Sequence, residues 1–181
     1  VLLVGDYEVA GGVAWAAVNK LPREETMADT RPQNILVTTD LSPDSLKAYP
    51  YARALAEAYG AKITVLCCID TSIQFGVGGA FDMPVTYVPE ALTAVKERTV
   101  NELKAHVTEH FPSSHVEQRV EEAPLPVQRT IVDFIKNNPV DMVVIASHGR
   151  SGIARAFLGS VAEQVIRNSP KPVLVVPVAA S

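Results

Sequence analysis

Residues 141–161 read D-M-V-V-I-A-S-H-G-R-S-G-I-A-R-A-F-L-G-S-V, and the fold turns on this stretch. Met142 to Ile145 form an unbroken apolar run too short for a helix, which predicts a strand buried on both faces. After Ala146, small and polar residues take over: Ser147, His148, Gly149, Arg150, Ser151 and Gly152. The next regular element begins at Gly159-Ser160, with Val161, Val165 and Ile166 spaced as one helix face. A strand emptying into a Gly-rich loop that ends at a helix N-terminus is an anion-binding layout. Glycines let backbone approach a ligand, first-turn N–H groups point outward, and the helix dipole favours negative charge. The same glycines also suit an ordinary turn. The loop is neither a Walker A loop, since no Gly-Lys-Ser/Thr follows, nor G-x-G-x-x-G.

Beyond this stretch, Pro172 to Val178 predicts a last strand with the continuous apolar run Val173 to Val176. Upstream, Pro126 to Asn138 predicts a helix through Val127, Ile131, Phe134 and Ile135. Val116 to Glu122 is a polar, weakly alternating strand suited to a sheet edge. Ala91, Leu92, Val95, Thr99, Leu103, Val107 and Phe111 mark one side of a long helix, and I-T-V-L-C-C-I within Ala61 to Ile69 marks another buried strand. Asp70 to Pro89 has no periodicity and predicts a mobile connection over one end of the sheet. Asn34 to Thr38 is the first strand, ending at Thr39-Asp40. Ser42-Pro43-Asp44 then predicts a helix start, with Ala48, Tyr51, Ala52, Leu55, Ala56 and Tyr59 at helical spacing and Gly60 as the stop. Pro50 falls inside this helix and predicts a kink.

Five strands joined by helical crossovers specify an α/β fold, an open doubly wound parallel sheet with helices on both faces. Such sheets bind ligands beyond the carboxyl ends of the strands where the winding reverses. Thr38-Thr39-Asp40 and Ala146 to Gly149 are the polar strand ends fit for that place. Residues 1–30 do not fit the pattern. Met27-Ala28-Asp29-Thr30 resembles an ordinary protein start, so 1–30 is expected to be an N-terminal extension outside the core domain of 31–181.

Composition narrows the function classes. The chain has 181 residues, 48% hydrophobic and 20% charged, which describes one globular domain. A net charge of −4 argues against sequence-independent nucleic-acid binding. No apolar run reaches membrane-spanning length. The two cysteines, Cys67 and Cys68, are adjacent in an apolar run, which excludes a disulfide framework and points to a reducing cytoplasm. His106 and His110 stand one helical turn apart, but with no third ligand in view they read as a solvated helix face. His148 has no Ser or Cys nucleophile with a partnering acid at a recognisable spacing. Arg150 and Arg155 are either phosphate-facing cations or exposed loop charges.

From Asn34 to the C-terminus the chain resembles the universal stress protein family. I-L-V-T-T-D-L-S is similar to its first strand, whose usual form has Pro where Thr38 stands. A-S-H-G, nine residues, then G-S is similar to its Gly-x-x-Gly, nine residues, Gly-Ser/Thr signature. The resemblance implies an adenine nucleotide alpha hydrolase-like or flavodoxin-like fold, ATP as ligand, a role in stress response and signalling, and a homodimer. The positions it assigns to the nucleotide are Thr38, Thr39, Asp40, Cys68, Ile145, Ala146, Gly149, Gly159, Ser160 and Val161. Asp40 is expected to accept hydrogen bonds from ribose or base, and Cys68 to meet adenine through its main chain. Gly149, Gly159, Ser160 and Val161 are expected to cradle the phosphates by backbone amides, with any magnesium carried on the phosphates.

Ala146 replaces the signature's first Gly. An alanine keeps the amide and confines the expected loss to Cβ crowding or a left-handed backbone, about 1 to 2 kcal/mol. That corresponds to roughly five- to thirtyfold in affinity. The functional expectation is a nucleotide-dependent regulatory switch with an unidentified protein partner. Slow ATP hydrolysis and a nucleotide-free dimeric interaction protein are the alternatives. The apolar last strand predicts self-pairing of two copies.

Overall fold

The computed structural model describes residues 31–71, 89–112, 116–148 and 158–178. The expected extension 1–30, most of the connection 70–89, and Gly149, Arg150 and Arg155 lie outside the described residues. The elements run β1 (Asn34–Thr39), a 3-10 turn (Ser45–Ala48), α1 (Tyr49–Tyr59), β2 (Lys62–Asp70), α2 (Pro89–His110) and β3 (Val116–Ala123). They continue with α3 (Val127–Asn137), β4 (Met142–Ala146), α4 (Ser160–Asn168) and β5 (Val173–Val176). The strands form one sheet in the order β3-β2-β1-β4-β5, and every pair is parallel. This is the open α/β sheet that the apolar runs demanded, with the polar β3 and the apolar β5 as its edges.

Strand alternation divides the core into two layers. Ile35, Val37, Ile63, Val65 and Val144 pack with Tyr49, Ala52, Leu103 and Val107 on the α1/α2 face. Leu36, Leu66, Val143 and Ile145 pack with Ile131, Ile135, Ala162 and Val165 on the α3/α4 face. Helices therefore cover both faces, which is why the strands read as nearly continuous apolar runs.

The segment after β1 departs from expectation. Ser42 does not open an α-helix: its Oγ accepts from the Ser45 amide at 3.2 Å and its carbonyl from the Leu46 amide at 3.2 Å, organising the 3-10 turn. The α-helix starts only at Tyr49, so Pro50 falls in its first turn. An N–H there would have no intrahelical acceptor, and the predicted kink does not arise. The later start also shifts the helical phase. Tyr49, Ala52 and Ala56 are buried, while Tyr51 and Tyr59, expected on the core face, are 52% and 45% exposed. Gly60 ends the helix as expected, at φ 68°, where a side chain is disfavoured.

Two smaller corrections concern helix faces. Ile166 is 41% exposed, because Val161, Ala162 and Val165 are the α4 residues that pack on the α3/α4-face core. His106 and His110 are half-buried, not solvated, and the His110 ring meets Tyr49 edge-on at 5.4 Å.

Candidate functional site

From β1 the chain winds through β2 to β3, then returns to the other side of β1 for β4 and β5. The reversal lies between β1 and β4, the place where parallel sheets open a crevice at their carboxyl ends. A cleft of about 560 Å³ occupies it. Thr38, Thr39, Asp40, Cys68, Ile145, Ala146, Gly159, Ser160 and Val161 all line this one cleft, although they come from four separate elements and their flanking turns.

At the end of β1 the two threonines face opposite ways. Thr39 Oγ1 lies 2.9 Å from Ser45 Oγ and accepts from the Leu41 amide at 3.0 Å, so its hydroxyl fastens the turn behind the cleft. Asp40 Oδ1 accepts from the Ser42 amide at 3.0 Å and from Ser42 Oγ at 2.6 Å, which fixes the carboxylate at the cleft mouth. Leu41 takes φ 65° between them. A leucine there is strained by about 1 to 2 kcal/mol, held by the hydrogen bonds on either side. Beneath this turn the phenol of Tyr49 is buried beside the Thr39 side chain. Burial pushes its pKa up to about 12, so it stays protonated.

β2 outruns β1. Their register ends at Thr39 opposite Cys67, whereas β2 continues against β3 through Cys68, Ile69 and Asp70. Along these three residues no described strand pairs with the β1-facing side of β2, and all three line the cleft. The Cys68 thiol contributes no reactivity at neutral pH. Burial, with the neighbouring Cys67 and Glu121 adding to it, pushes its pKa up to about 12.

At the end of β4 the backbone part of the expected cost of Ala146 does not arise. Among the described non-glycine residues only Leu41 has a positive φ, and the Ala146 methyl belongs to the α1/α2-face core with Val37, Cys67 and Val176. Next to it, Ser147 joins three segments. Its amide donates to the Val176 carbonyl at 2.8 Å, its Oγ accepts from the Val178 amide at 2.9 Å, and its carbonyl accepts from the Gly159 amide at 2.8 Å. A Cβ added to Gly159 would lie 2.9 Å from that same carbonyl. The Gly159 amide is therefore engaged by the protein, and the expectation that it cradles phosphate is corrected. Its glycine character serves the close approach of α4 to β4. The amides of Ser160 and Val161 have no acceptor among the described residues, and Gly159 has no side chain to cap them. These two donors open onto the cleft with the helix dipole behind them.

The α2 wall is absent from the sequence reading. Val95, Arg98, Thr99 and Glu102 line the cleft because a crossover helix runs antiparallel to its strands, bringing its N-terminal half to their carboxyl ends. The helical stripe of Val95 and Thr99 signalled this, but it also fits plain core. Ser147 Oγ lies 3.1 Å from His148 Nδ1, and among the described residues no carboxylate hydrogen-bonds that ring. No group of three or more His, Cys, Asp or Glu side chains among the described residues is placed to hold a metal ion. No helix among them is long and apolar enough to cross a membrane.

Comparison with known proteins adds to this geometry. A model described as the Universal stress protein family matches residues 32–177. Universal stress protein MJ0531 of Methanocaldococcus jannaschii is 30% identical over 146 residues, covering 80% of this chain and 81% of that protein. The solved structure of MJ0577 from the same organism has a TM-score of 0.68 at 26% identity, covering 82% of this chain and 98% of that one. A universal stress protein solved in complex with cAMP has a TM-score of 0.50 at 25% identity, covering 81% of this chain and 98% of that one.

Proposed function

The chain belongs to the universal stress protein family, and we propose that it is a regulatory protein that binds an adenine nucleotide, ATP, in the cleft between β1 and β4. The observation that carries this reading is the pair of uncapped amides, Ser160 and Val161, opening onto the same cleft as the stretch of β2 that runs beyond the end of β1. The first suits phosphate oxygens and the second suits the hydrogen-bonding edge of a base. Between them lies an apolar lining from Leu66, Ile131 and Ile145 that suits a flat ring. The complex of a 25% identical relative with cAMP supports the nucleotide class.

In this arrangement Asp40, already oriented by Ser42, accepts hydrogen bonds from the ribose or base. Cys68 contributes main-chain groups to adenine. Ser160 and Val161 donate to phosphate, Gly149 joining them by resemblance, and Gly159 sets the position of the helix that carries them. Magnesium travels with the phosphates. Nucleotide occupancy changes a surface read by a protein partner, and two copies associate through β5, in the cytoplasm. Denaturing freshly purified protein and chromatographing the supernatant tests the ligand class: released ATP is the expected result, and a supernatant without adenine nucleotide counts against it.

A further inference from the structure

The N-terminal half of α2 is held differently from the rest of that helix. Leu103 and Val107 are buried in the α1/α2-face core, whereas every residue from Thr93 to Arg98 is exposed. This exposed half nevertheless forms a wall of the cleft through Val95 and Arg98. The neighbouring helical stripe, Leu92, Lys96 and Val100, borders a separate groove of about 710 Å³ whose far side includes Glu122 of β3. The wall therefore has space on two sides and little packing to fix its position.

Lys96 Nζ donates to Glu122 Oε1 at 2.9 Å, which ties this half of α2 to the sheet. Glu122 stands opposite Ile69 in the register, within the stretch of β2 that runs beyond the end of β1 and lines the cleft. The tie is thus level with the end of the cleft suited to a base. Arg98 instead meets Glu102 of its own helix at 3.7 Å, a contact that does not anchor the helix to the sheet. Both Lys96 and Glu122 are about half exposed, so their pair adds little to global stability. A small free energy is enough to bias where a loosely packed wall stands.

We propose that Lys96 and Glu122 are positioning residues for the nucleotide cleft: their ion pair sets the distance between α2 and the end of β2, and with it affinity for the nucleoside, without touching the ligand. This rests on the adenine-nucleotide reading above. The test is calorimetric titration with ATP and with adenosine, which is uncharged, so that salt cannot act on it through a phosphate. Wild type is compared with Lys96→Met, Lys96→Glu and the exchanged pair Lys96→Glu/Glu122→Lys, alongside thermal unfolding without ligand.

Lys96→Met is expected to weaken adenosine and ATP alike, by about threefold, and Lys96→Glu by about tenfold as two carboxylates face each other. The exchanged pair should return to within about twofold of wild type. Raising salt from about 20 mM to about 500 mM should bring wild-type adenosine affinity down to that of Lys96→Met, which itself should not respond. Unfolding midpoints should stay together while the affinities separate, which a merely structural pair would not give. Wild-type affinity in Lys96→Met, or a Lys96→Glu loss that Glu122→Lys does not reverse, overturns the proposal while leaving the nucleotide reading intact. If wild type binds neither ligand, the nucleotide reading fails and this inference fails with it. If it binds ATP alone, reversal by the exchanged pair, measured with ATP, decides.

Discussion

Gly159 donates its amide to the carbonyl of Ser147 at 2.8 Å, and this bond brings the start of α4 against the end of β4. The two residues bracket the stretch 148–158, so the contact fixes where the first-turn amides of α4 stand relative to the strand ends. A Cβ at position 159 would come within 2.9 Å of the same oxygen, closer than real Cβ atoms approach backbone. The helix would have to move to admit it.

Gly159→Ala is therefore predicted to displace α4 and its two uncapped donors. Stability should fall by about 1 to 3 kcal/mol, the usual range for overpacking. Nucleotide affinity should fall at least about tenfold as the donors leave their positions. Urea unfolding and titration with ATP check both, and an unchanged affinity would remove Gly159 from the site.

Ala146→Gly tests the opposite substitution. The methyl packs in the α1/α2-face core and the backbone is not left-handed, so glycine relieves no backbone strain. The variant should lose about 1 to 2 kcal/mol of stability through strand flexibility and one missing methyl. Its affinity should change by less than about threefold. A tightening of tenfold or more would place the methyl in the ligand's path.

A pH effect is predicted at the opposite end of the sheet. Asp141 Oδ2 accepts from the amides of Gln33 at 3.0 Å and Asn34 at 2.9 Å and from Asn34 Nδ2 at 3.2 Å, tying β4 to the start of β1. Partial burial pushes this carboxyl up, but these hydrogen bonds and Lys171 outweigh it and hold the pKa below its ordinary value of 3.8. A depressed folded pKa stabilises the protein above the unfolded pKa, and the contribution disappears as pH falls through the folded value. Asp141→Asn should cost about 1 kcal/mol at pH 7, allowing for solvent screening. The difference from wild type should shrink below about pH 4. A difference that stays constant from pH 7 to pH 3 would show that the charge is not involved.

Association is predicted through β5. This outermost strand carries the run Val173 to Val176, and Leu174 is 37% exposed on it. An apolar edge that no described strand pairs with invites pairing with a second copy. Sedimentation at micromolar concentration should show dimers, and Leu174→Lys should shift them toward monomers by at least about tenfold in dissociation constant. Wild-type monomers would refute pairing through this edge.

The sheet was legible because its central strands are apolar on both faces, and Ile35 to Val37 and Val143 to Ile145 read as strands for that reason alone. The site was legible in outline: polar strand ends and a glycine before a helix mark the crevice wherever the winding reverses. Three features were not. The partner of the Gly159 amide depends on a close approach that no spacing encodes. The placement of Pro50 depends on a 3-10 turn built from Ser42 and Ser45, whose hydrogen bonds look like an ordinary helix cap in the sequence. The α2 wall uses Thr99 on the stripe that also supplies Leu103 and Val107 to the core, so its upper turns are distinguished only by where the sheet stops.

The most direct test of nucleotide binding between β1 and β4 is calorimetric titration of nucleotide-stripped wild-type protein with ATP. Two aligned amides, a carboxylate and an apolar slot predict one saturable site per chain with a dissociation constant on the order of micromolar. No saturable binding up to about 1 mM, an affinity too low for a preformed site of this kind, would contradict the account.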